Sequence, residues 1–283
     1  MDMYKWNRWW TFKKLYEDNH KNTYIKYSDL KIFIKKLGYQ STIVDLLEKK
    51  EIINYYKEFN ILNEKLKKKA SVNLSGFLVK LNLNLIPRGI KYLHNLEILE
   101  LNFTTIVNIP KEIAHLKNLY KLDLSNSNIK EMPKELFLLS NLQVLILFNT
   151  FLNEIPKEIG QLINLQILNL SHNKIQIIPK EIKQLINLRE ICLDGNEIEN
   201  ISKKIGLLIN LKALNLSGNK IKELPKEIGQ LINLQSLFLS NNKINDLPKE
   251  MKQLTNLQKI RIDINLQEKV SELFHNTLIS IEN

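Results

Sequence analysis

Residues 211–233, LKALNLSGNKIKELPKEIGQLIN, decide the fold of this 283-residue chain. Near the start of the stretch, Leu214 and Leu216 alternate with polar residues, as the buried side of a short strand does. Near its end, Ile228 and Leu231 are three positions apart, which is the spacing of one helical turn. The stretch therefore predicts one strand followed by one short helical segment.

The same pattern recurs with a 23-residue period, seven times in succession, from Leu96 to Asn256. The shared pattern is Lxx[LI]xLxx[NST]x[IL]xx[ILM][PS]K[EK][ILM]xxLxN, with leucine at position 1 and asparagine at position 23 in every copy. A fixed period of about 20 to 50 residues is the signature of a repeat architecture, in which neighbouring units bury each other's apolar faces. The sequence therefore predicts a solenoid.

Each repeat is expected to form a strand and a helical or 3-10 segment joined by tight turns. Positions 1, 4, 6, 11, 14, 18 and 21 are apolar and are predicted to point inward. The residue at position 15 is proline in most copies, and proline is tolerated at the start of a helical turn because its missing N–H has no partner there. Stacking would align the strands in a parallel sheet with a spacing of about 4.8 Å.

The repeats resemble leucine-rich repeats of the 23-residue class, which occur in spirochaete and other bacterial proteins and in Shoc-2-like and plant Ras-group proteins. The resemblance covers residues 96–256 strongly and residues 73–95 weakly. It implies an α/β solenoid with a curved parallel sheet on the concave face, short helical or 3-10 segments on the convex face, and protein recognition by the concave face. We therefore expect a monomeric, non-enzymatic module that binds a protein partner.

Both ends of a solenoid need caps, because the terminal repeats would otherwise expose the core. Residues 1–72 are predicted to form an α-helical N-terminal cap or domain, and residues 73–95 a degenerate first repeat. Residues 257–283 are predicted to form a capping strand and helix. The apolar residues at helical spacing in that segment are Val270, Leu273, Phe274 and Leu278.

The charge of the chain is concentrated near its start. The formal net charge is +11, and residues 1–72 hold 16 Lys and Arg against 9 Asp and Glu, with 13 of the 22 aromatic residues. Basic residues among aromatic ones are also found in segments that contact nucleic acid or an anionic membrane. An adaptor acting through residues 1–72 is therefore the alternative function, although such aromatics more often form a small core.

Catalysis has little support in the sequence. No motif for a catalytic site, cofactor or metal is present, and we expect none of the three. Cys192, His172 and Asp194 are the one cluster to weigh, but the predicted register separates the Cα atoms of Cys192 and His172 by roughly 11 Å. The lone cysteine and the absence of a signal-peptide pattern favour a cytoplasmic location, with export by another route as the alternative.

A predicted apolar patch on the concave side is the candidate partner-binding site. Most concave positions are small or polar, but the third repeat is apolar there and has apolar neighbours on nearby strands. An exposed apolar patch often marks a binding site. The alternative is that these residues pack beneath the N-terminal domain, or that their apolar character is sequence drift without a function. The candidate residues are Ile98, Phe103, Val144, Ile146, Phe148 and Ile167.

Two other positions depart from the expected pattern. Position 22 carries isoleucine in four repeats, at Ile163, Ile186, Ile209 and Ile232, and partial burial between neighbouring turns is the simplest interpretation. Position 9 is asparagine in the later repeats and serine or threonine in the first three. We expect the hydroxyl groups to fill the hydrogen-bonding role of asparagine less completely.

Deleting residues 1–72 tests their predicted role as a cap. The truncated chain should aggregate or melt at a lower temperature than the full chain, because the apolar edge of the first repeat would be exposed. Thermal unfolding and size-exclusion chromatography measure both properties. A monomeric truncation with an unchanged melting temperature would mean that the segment is an independent domain.

Overall fold

The computed structural model describes residues 96–274 without a break, the strands 71–73 and 280–282, and residues 86, 90, 91 and 94. In these residues ten strands form one parallel sheet in sequence order, as expected for the predicted solenoid. The strands are β1 (Ser71–Asn73), β2 (Ile98–Glu100), β3 (Lys121–Asp123), β4 (Val144–Ile146), β5 (Ile167–Asn169), β6 (Glu190–Cys192), β7 (Ala213–Asn215), β8 (Ser236–Phe238), β9 (Lys259–Arg261) and β10 (Ser280–Glu282).

A short 3-10 segment follows each strand from β2 to β8 on the opposite face of the solenoid. Proline precedes six of these seven segments, and its carbonyl accepts the first hydrogen bond of the turn, as Pro156 does from the Ile159 amide at 3.0 Å. Ser202 takes the place of proline once and accepts a hydrogen bond from the Lys204 amide. The segments are Lys111–His115, Lys134–Leu138, Lys157–Gln161, Lys180–Gln184, Lys203–Leu207, Lys226–Gln230 and Lys249–Gln253.

The inward positions build one continuous core. In the fourth repeat all seven predicted inward residues are buried, and the buried cluster runs from Ile86 to Phe274. Stacking removes these side chains from water, because a single repeat is too thin to enclose them. The seven residues are Leu165, Leu168, Leu170, Ile175, Ile178, Ile182 and Leu185.

The ends of the sheet depart from the 23-residue register. Ser71 of β1 pairs with Ile98, a longer step along the chain than one repeat, so β1 spans the predicted boundary between residues 1–72 and 73–95. At the other end, Lys259 pairs with Ser280, a shorter step than one repeat, in a strand that the sequence did not predict. The predicted helices of the N-terminal segment lie outside the described residues.

The C-terminal helix lies where the sequence predicts it. A 3-10 turn, Ile264–Leu266, leads into helix α1 (Gln267–Phe274). Its residues Val270, Leu273 and Phe274 are buried and close the core of the last repeats. Leu278, the fourth residue of the predicted apolar face, lies outside the described residues.

The position-9 side chains join successive repeats through buried hydrogen bonds. Asn196 donates to the Leu170 carbonyl of the preceding repeat at 2.9 Å and to the Leu193 carbonyl at 3.0 Å, and it accepts from the Ile175 amide at 3.0 Å. The hydroxyl of Ser127 instead donates to the Leu124 carbonyl of its own repeat, at 2.6 Å. The prediction that hydroxyls replace asparagine incompletely is therefore confirmed.

Replacing Asn196 tests the contribution of these bonds to stability. Asn196→Ala leaves the buried Leu170 and Leu193 carbonyls and the Ile175 amide without this partner and should lower the free energy of unfolding by about 3 kcal/mol. Asn196→Thr, which restores the arrangement of the first repeats, should lower it by about half as much. Urea unfolding gives both values.

Asn187→Ala is the matched control, because Asn187 makes an exposed hydrogen bond to the Ile163 carbonyl. It should cost less than about 1 kcal/mol. A cost for Asn196→Ala no greater than this would show that the buried bonds contribute no more than the exposed ones.

Candidate binding face

The outward side of the sheet is formed by positions 3, 5 and 7 of each repeat, and its burial is graded along the solenoid. In β2 and β3 all three strand residues are buried, whereas in β6 to β9 only the inward middle residue is buried. The outward side chains of the later strands are half-buried. Strands β2 and β3 therefore present a different surface from strands β6 to β9.

The predicted apolar patch is not a continuous exposed surface. Ile98, Ile146 and Ile167 are less than a tenth exposed, so the expectation that they are exposed was wrong. In-register pairing places Ile167 beside Val144, and apolar side chains on strands about 4.8 Å apart pack against each other. Val144 and Phe148 are half-buried, and Phe103 is 53% exposed.

A buried ion pair interrupts the patch between β2 and β4. Lys121 Nζ lies 2.6 Å from Glu100 Oε1, and both side chains are almost fully buried. Asp123, on the same strand, is also buried and accepts hydrogen bonds from the amide and hydroxyl of Ser125. The charged groups separate Ile98 from the apolar residues of β4.

Position 8, just after each strand, has a left-handed backbone in seven repeats. Asparagine or glycine occupies five of these positions, and both residue types tolerate positive φ. The two exceptions are Phe103, with φ 57°, and His172, with φ 56°. A bulky aromatic residue is rare in this conformation, so Phe103 is held there at a cost in backbone energy.

A cluster of four polar residues and one aromatic residue occupies the middle of the sheet, in the repeats of β4 to β7. Asp194 accepts hydrogen bonds from Ser171 Oγ at 2.5 Å and from Asn215 Nδ2 at 2.9 Å. His172 Nε2 lies 3.4 Å from the other carboxylate oxygen of Asp194. The imidazole also meets the ring of Phe148 edge to face, with 5.2 Å between the ring centroids. We call these five residues the central cluster.

Gly195 makes room for the imidazole of this cluster. Its φ is +66°, and a Cβ atom at this position would lie 2.7 Å from His172 Nδ1. Any larger residue would push the ring away from Asp194. Gly195 thus holds the central cluster together by its lack of a side chain.

Neighbouring charges and burial shift two pKa values at this site. Burial raises the pKa of Asp194, against the opposing effects of the Ser171 hydrogen bond and the His172 charge. Burial also raises the pKa of the Cys192 thiol, and the carboxylates of Asp194 and Glu190 add to the shift. The thiolate needed by a nucleophile is therefore disfavoured.

The Ser171 hydroxyl is not arranged as a nucleophile either. Ser171 is fully buried and donates its hydrogen bond to the buried carboxylate of Asp194, so its hydroxyl is not accessible to a substrate. Within the described residues, no three His, Cys, Asp or Glu side chains are grouped so that they could hold a metal ion. The arrangement is suited to recognition by hydrogen bonds and aromatic contact.

Several outward polar side chains stabilise the turn after their own strand. Asn169 Oδ1 accepts a hydrogen bond from the Ser171 amide at 3.0 Å, and Asn215 Oδ1 accepts one from the Ser217 amide at 3.1 Å. Asp123 makes the same contact with Ser125. The side-chain oxygens of these residues therefore already accept hydrogen bonds within the fold. Fewer side-chain acceptors on this face remain for hydrogen bonds to a partner.

The repeat pattern and the geometry identify the family. Residues 192–282 match the family described as a leucine-rich repeat region, and residues 140–198 match the family described as leucine rich repeat. The chain belongs to the leucine-rich repeat proteins. None of the curated proteins matches it in sequence. No helix among the described residues of this leucine-rich repeat protein is both long and apolar enough to span a membrane.

Solved structures of other leucine-rich repeat proteins share the fold. The ectodomain of the receptor kinase GASSHO1/SCHENGEN3 from Arabidopsis thaliana, in complex with Casparian strip integrity factor 2, is 26% identical with a TM-score of 0.57. The alignment covers 75% of this chain and 28% of that one. An internalin from Listeria monocytogenes is 22% identical with a TM-score of 0.61, over 77% of this chain and 62% of that one.

Internalin C2 from the same organism is 24% identical with a TM-score of 0.61, over 71% of this chain and 84% of that one. The chain spans less than two thirds of the length of the receptor ectodomain and of the first internalin. The likeness to both internalins concerns the fold alone.

Two features of this face were not predicted from the sequence: the contact between Phe148 and His172, and the left-handed backbone of position 8. The first could have been found from the register, because residue 171 stands beside residue 148 when strands pair at the 23-residue period. The second could have been found from the residue types at position 8. Eight residues stand at this position from residue 103 to residue 264, and five of them are asparagine or glycine. The three exceptions are Phe103, His172 and Ile264.

The raised pKa of Asp194 predicts how pH changes stability. When a carboxyl has a higher pKa in the folded state, the folded state binds the proton first, so stability increases as pH falls through that pKa. In a His172→Gln background, which removes the imidazole charge, the chain with Asp194 should gain stability relative to Asp194→Asn between neutral pH and about pH 4. Urea unfolding at a series of pH values measures the difference, and a constant difference would contradict the shift.

Proposed function

We propose that this protein is a non-enzymatic interaction module that binds a protein partner on its concave face, through Phe103 and the central cluster. The observation that carries the proposal is Phe103, an aromatic side chain that is more than half exposed and held in a left-handed backbone where asparagine or glycine would be stable. Such strain is commonly kept at functional sites. Exposed aromatic residues are also frequent anchors in protein interfaces.

The central cluster supplies the polar part of the proposed surface. His172 is partly exposed, its ring is held by Phe148 and Asp194, and Gly195 leaves the space that the ring occupies. A side chain fixed before binding loses less conformational entropy when the partner arrives. The other residues of the predicted patch support this surface from below or at its edge and remain predicted partner-binding residues. They are Ile98, Val144, Ile146 and Ile167.

The fold comparison supports this class of function. The similar receptor ectodomain was solved in complex with Casparian strip integrity factor 2, so a related solenoid binds a protein ligand. A protein partner on the concave face of this chain is our extension of that likeness. The alternative function, an adaptor for nucleic acid or an anionic membrane through residues 1–72, rests on charge and aromatic content alone.

Replacing Phe103 with asparagine separates stability from binding. Phe103→Asn should stabilise the fold by about 1 kcal/mol, because asparagine suits the left-handed backbone. The same change should weaken partner binding by about 2 kcal/mol, because it removes an aromatic anchor. Urea unfolding measures the first effect. For the second, a photo-crosslinking residue at Asn149 captures the partner, and titration of the purified partner gives the affinity.

The control is Phe151→Asn, because Phe151 is also about half exposed but lies after the turn and has no positive φ. It should change neither stability nor binding by more than about 0.5 kcal/mol. Equal loss of binding in the two variants would contradict the assignment to the concave face. A steep decrease of binding with salt would instead favour the adaptor function.

A further inference from the structure

A second surface lies along the edge of the solenoid where the chain enters the strands. The four isoleucines at position 22, Ile163, Ile186, Ile209 and Ile232, are 51–55% exposed. We call them the isoleucine stripe. The sequence predicts partial burial of these side chains between neighbouring turns. About half of each side chain is buried in this way, and the other half is exposed to solvent. Consecutive repeats place neighbouring members about 5 Å apart, so the stripe is about 15 Å long.

Polar side chains form a groove directly beside the stripe. Asn187, Asn210 and Asn233 line it, and each donates a hydrogen bond of 2.8 Å to the carbonyl of a stripe residue in the preceding repeat. The groove has a volume of about 340 Å³ and is completed by Gln166, Arg189 and Lys212. The hydrogen bonds from the asparagines show that the groove and the stripe form one continuous edge.

The charge of this edge is positive. Arg189 and Lys212 are exposed, no carboxylate lines the groove, and neither basic side chain has an ion-pair partner anywhere in the described part of the chain. An apolar row flanked by two unpaired cations is complementary to an apolar row flanked by carboxylates. We propose that this edge binds an acidic amphipathic helix of a partner protein.

The hydrogen bonding of the edge favours a helix over an extended segment. A strand added to the edge pairs through backbone N–H and carbonyl groups. The carbonyls of Ile163, Ile186 and Ile209 each already accept one hydrogen bond from an asparagine, so a strand would have to share them. A helix satisfies its own backbone. Its side chains at i and i+3 or i+4 are about 5–6 Å apart, which matches the spacing of the stripe.

Charge also argues against two other occupants. A second copy of this chain would bring its own Arg189 and Lys212 against the same residues, and like charges oppose that contact. A membrane surface attracts clusters of about four to eight basic residues, and this groove offers two. The polar lining does not suit a small apolar ligand either, because such sites are mostly apolar.

The test uses the full chain and a synthetic helix of about 18 residues, long enough to cover the stripe with a turn to spare at each end. The probe carries leucine at every third or fourth position and glutamate on one flank, with a side-chain staple that holds it helical. Fluorescence anisotropy should show saturable binding. A peptide of the same composition in scrambled order should bind at least roughly tenfold more weakly.

Two variants and a control locate the binding. The double variant Ile186→Ser with Ile209→Ser should weaken the probe at least roughly tenfold. Arg189→Gln with Lys212→Gln should weaken it a fewfold and flatten its salt dependence. Ile177→Ser, which removes an exposed isoleucine elsewhere, should leave the affinity unchanged. All of these side chains are exposed, and thermal unfolding checks that every variant is folded.

Three results would overturn the proposal. One is the absence of saturable binding to the stapled probe, and another is equal loss in Ile177→Ser and the stripe variant. The third is a different occupant of the same edge, observed without binding to the probe. It would be either binding to vesicles containing phosphatidylserine or a dimer in light scattering, in each case lost in the Ile186→Ser with Ile209→Ser variant. Because Phe103→Asn leaves this edge intact, failure of the concave-face proposal would not affect the outcome.

Discussion

No repeat of this protein can satisfy its own buried backbone groups, and the rest of the structure depends on that constraint. Each strand from β2 to β9 has its partners in the strands before and after it. The Ile175 amide donates a hydrogen bond to the side chain of Asn196, which lies in the next repeat. The Leu193 carbonyl in turn accepts a hydrogen bond from the side chain of Asn219, one repeat further along the chain. One repeat thus supplies the groups that the buried backbone of its neighbour needs. Stability is therefore a property of adjacent pairs of repeats.

This dependence explains why so much of the fold can be predicted from the sequence. A position that faces a neighbouring repeat keeps its apolar or polar character in every copy, so the apolar positions of Leu165, Leu168 and Leu170 recur with little change. The predicted inward positions, the parallel sheet and the 3-10 segments are all confirmed for residues 96–256. The pattern fails at β1 and β10, where the pairing step is longer or shorter than one repeat and no periodic signal indicates it.

The outward face was harder to predict, because alternation along a strand says which side a residue faces and nothing about its exposure. Ile98, Ile146 and Ile167 face outward as predicted and are nevertheless buried. The burial of Lys121 and Glu100 shows that this end of the sheet excludes water even from charged groups. The contacts among Phe148, His172 and Asp194 likewise depend on register across three repeats.

The two proposed surfaces differ in how they are held, and the difference follows from the same repeat constraint. On the concave face, Phe103 and His172 depart from the asparagine and glycine that the turn prefers, so each is an exception within its column of repeats. On the edge, the isoleucine stripe is regular. The side chains at position 22 are half exposed, so burial does not determine which residue stands there. The backbone carbonyl of position 22 accepts a hydrogen bond from the asparagine of the next repeat, and any residue type can provide that carbonyl. Freedom at position 22 allows lysine, serine or threonine, and these occur there in other repeats. Four adjacent isoleucines at a position with so little structural demand, beside two unpaired cations, are therefore better explained by a contact outside the repeat than by the packing within it.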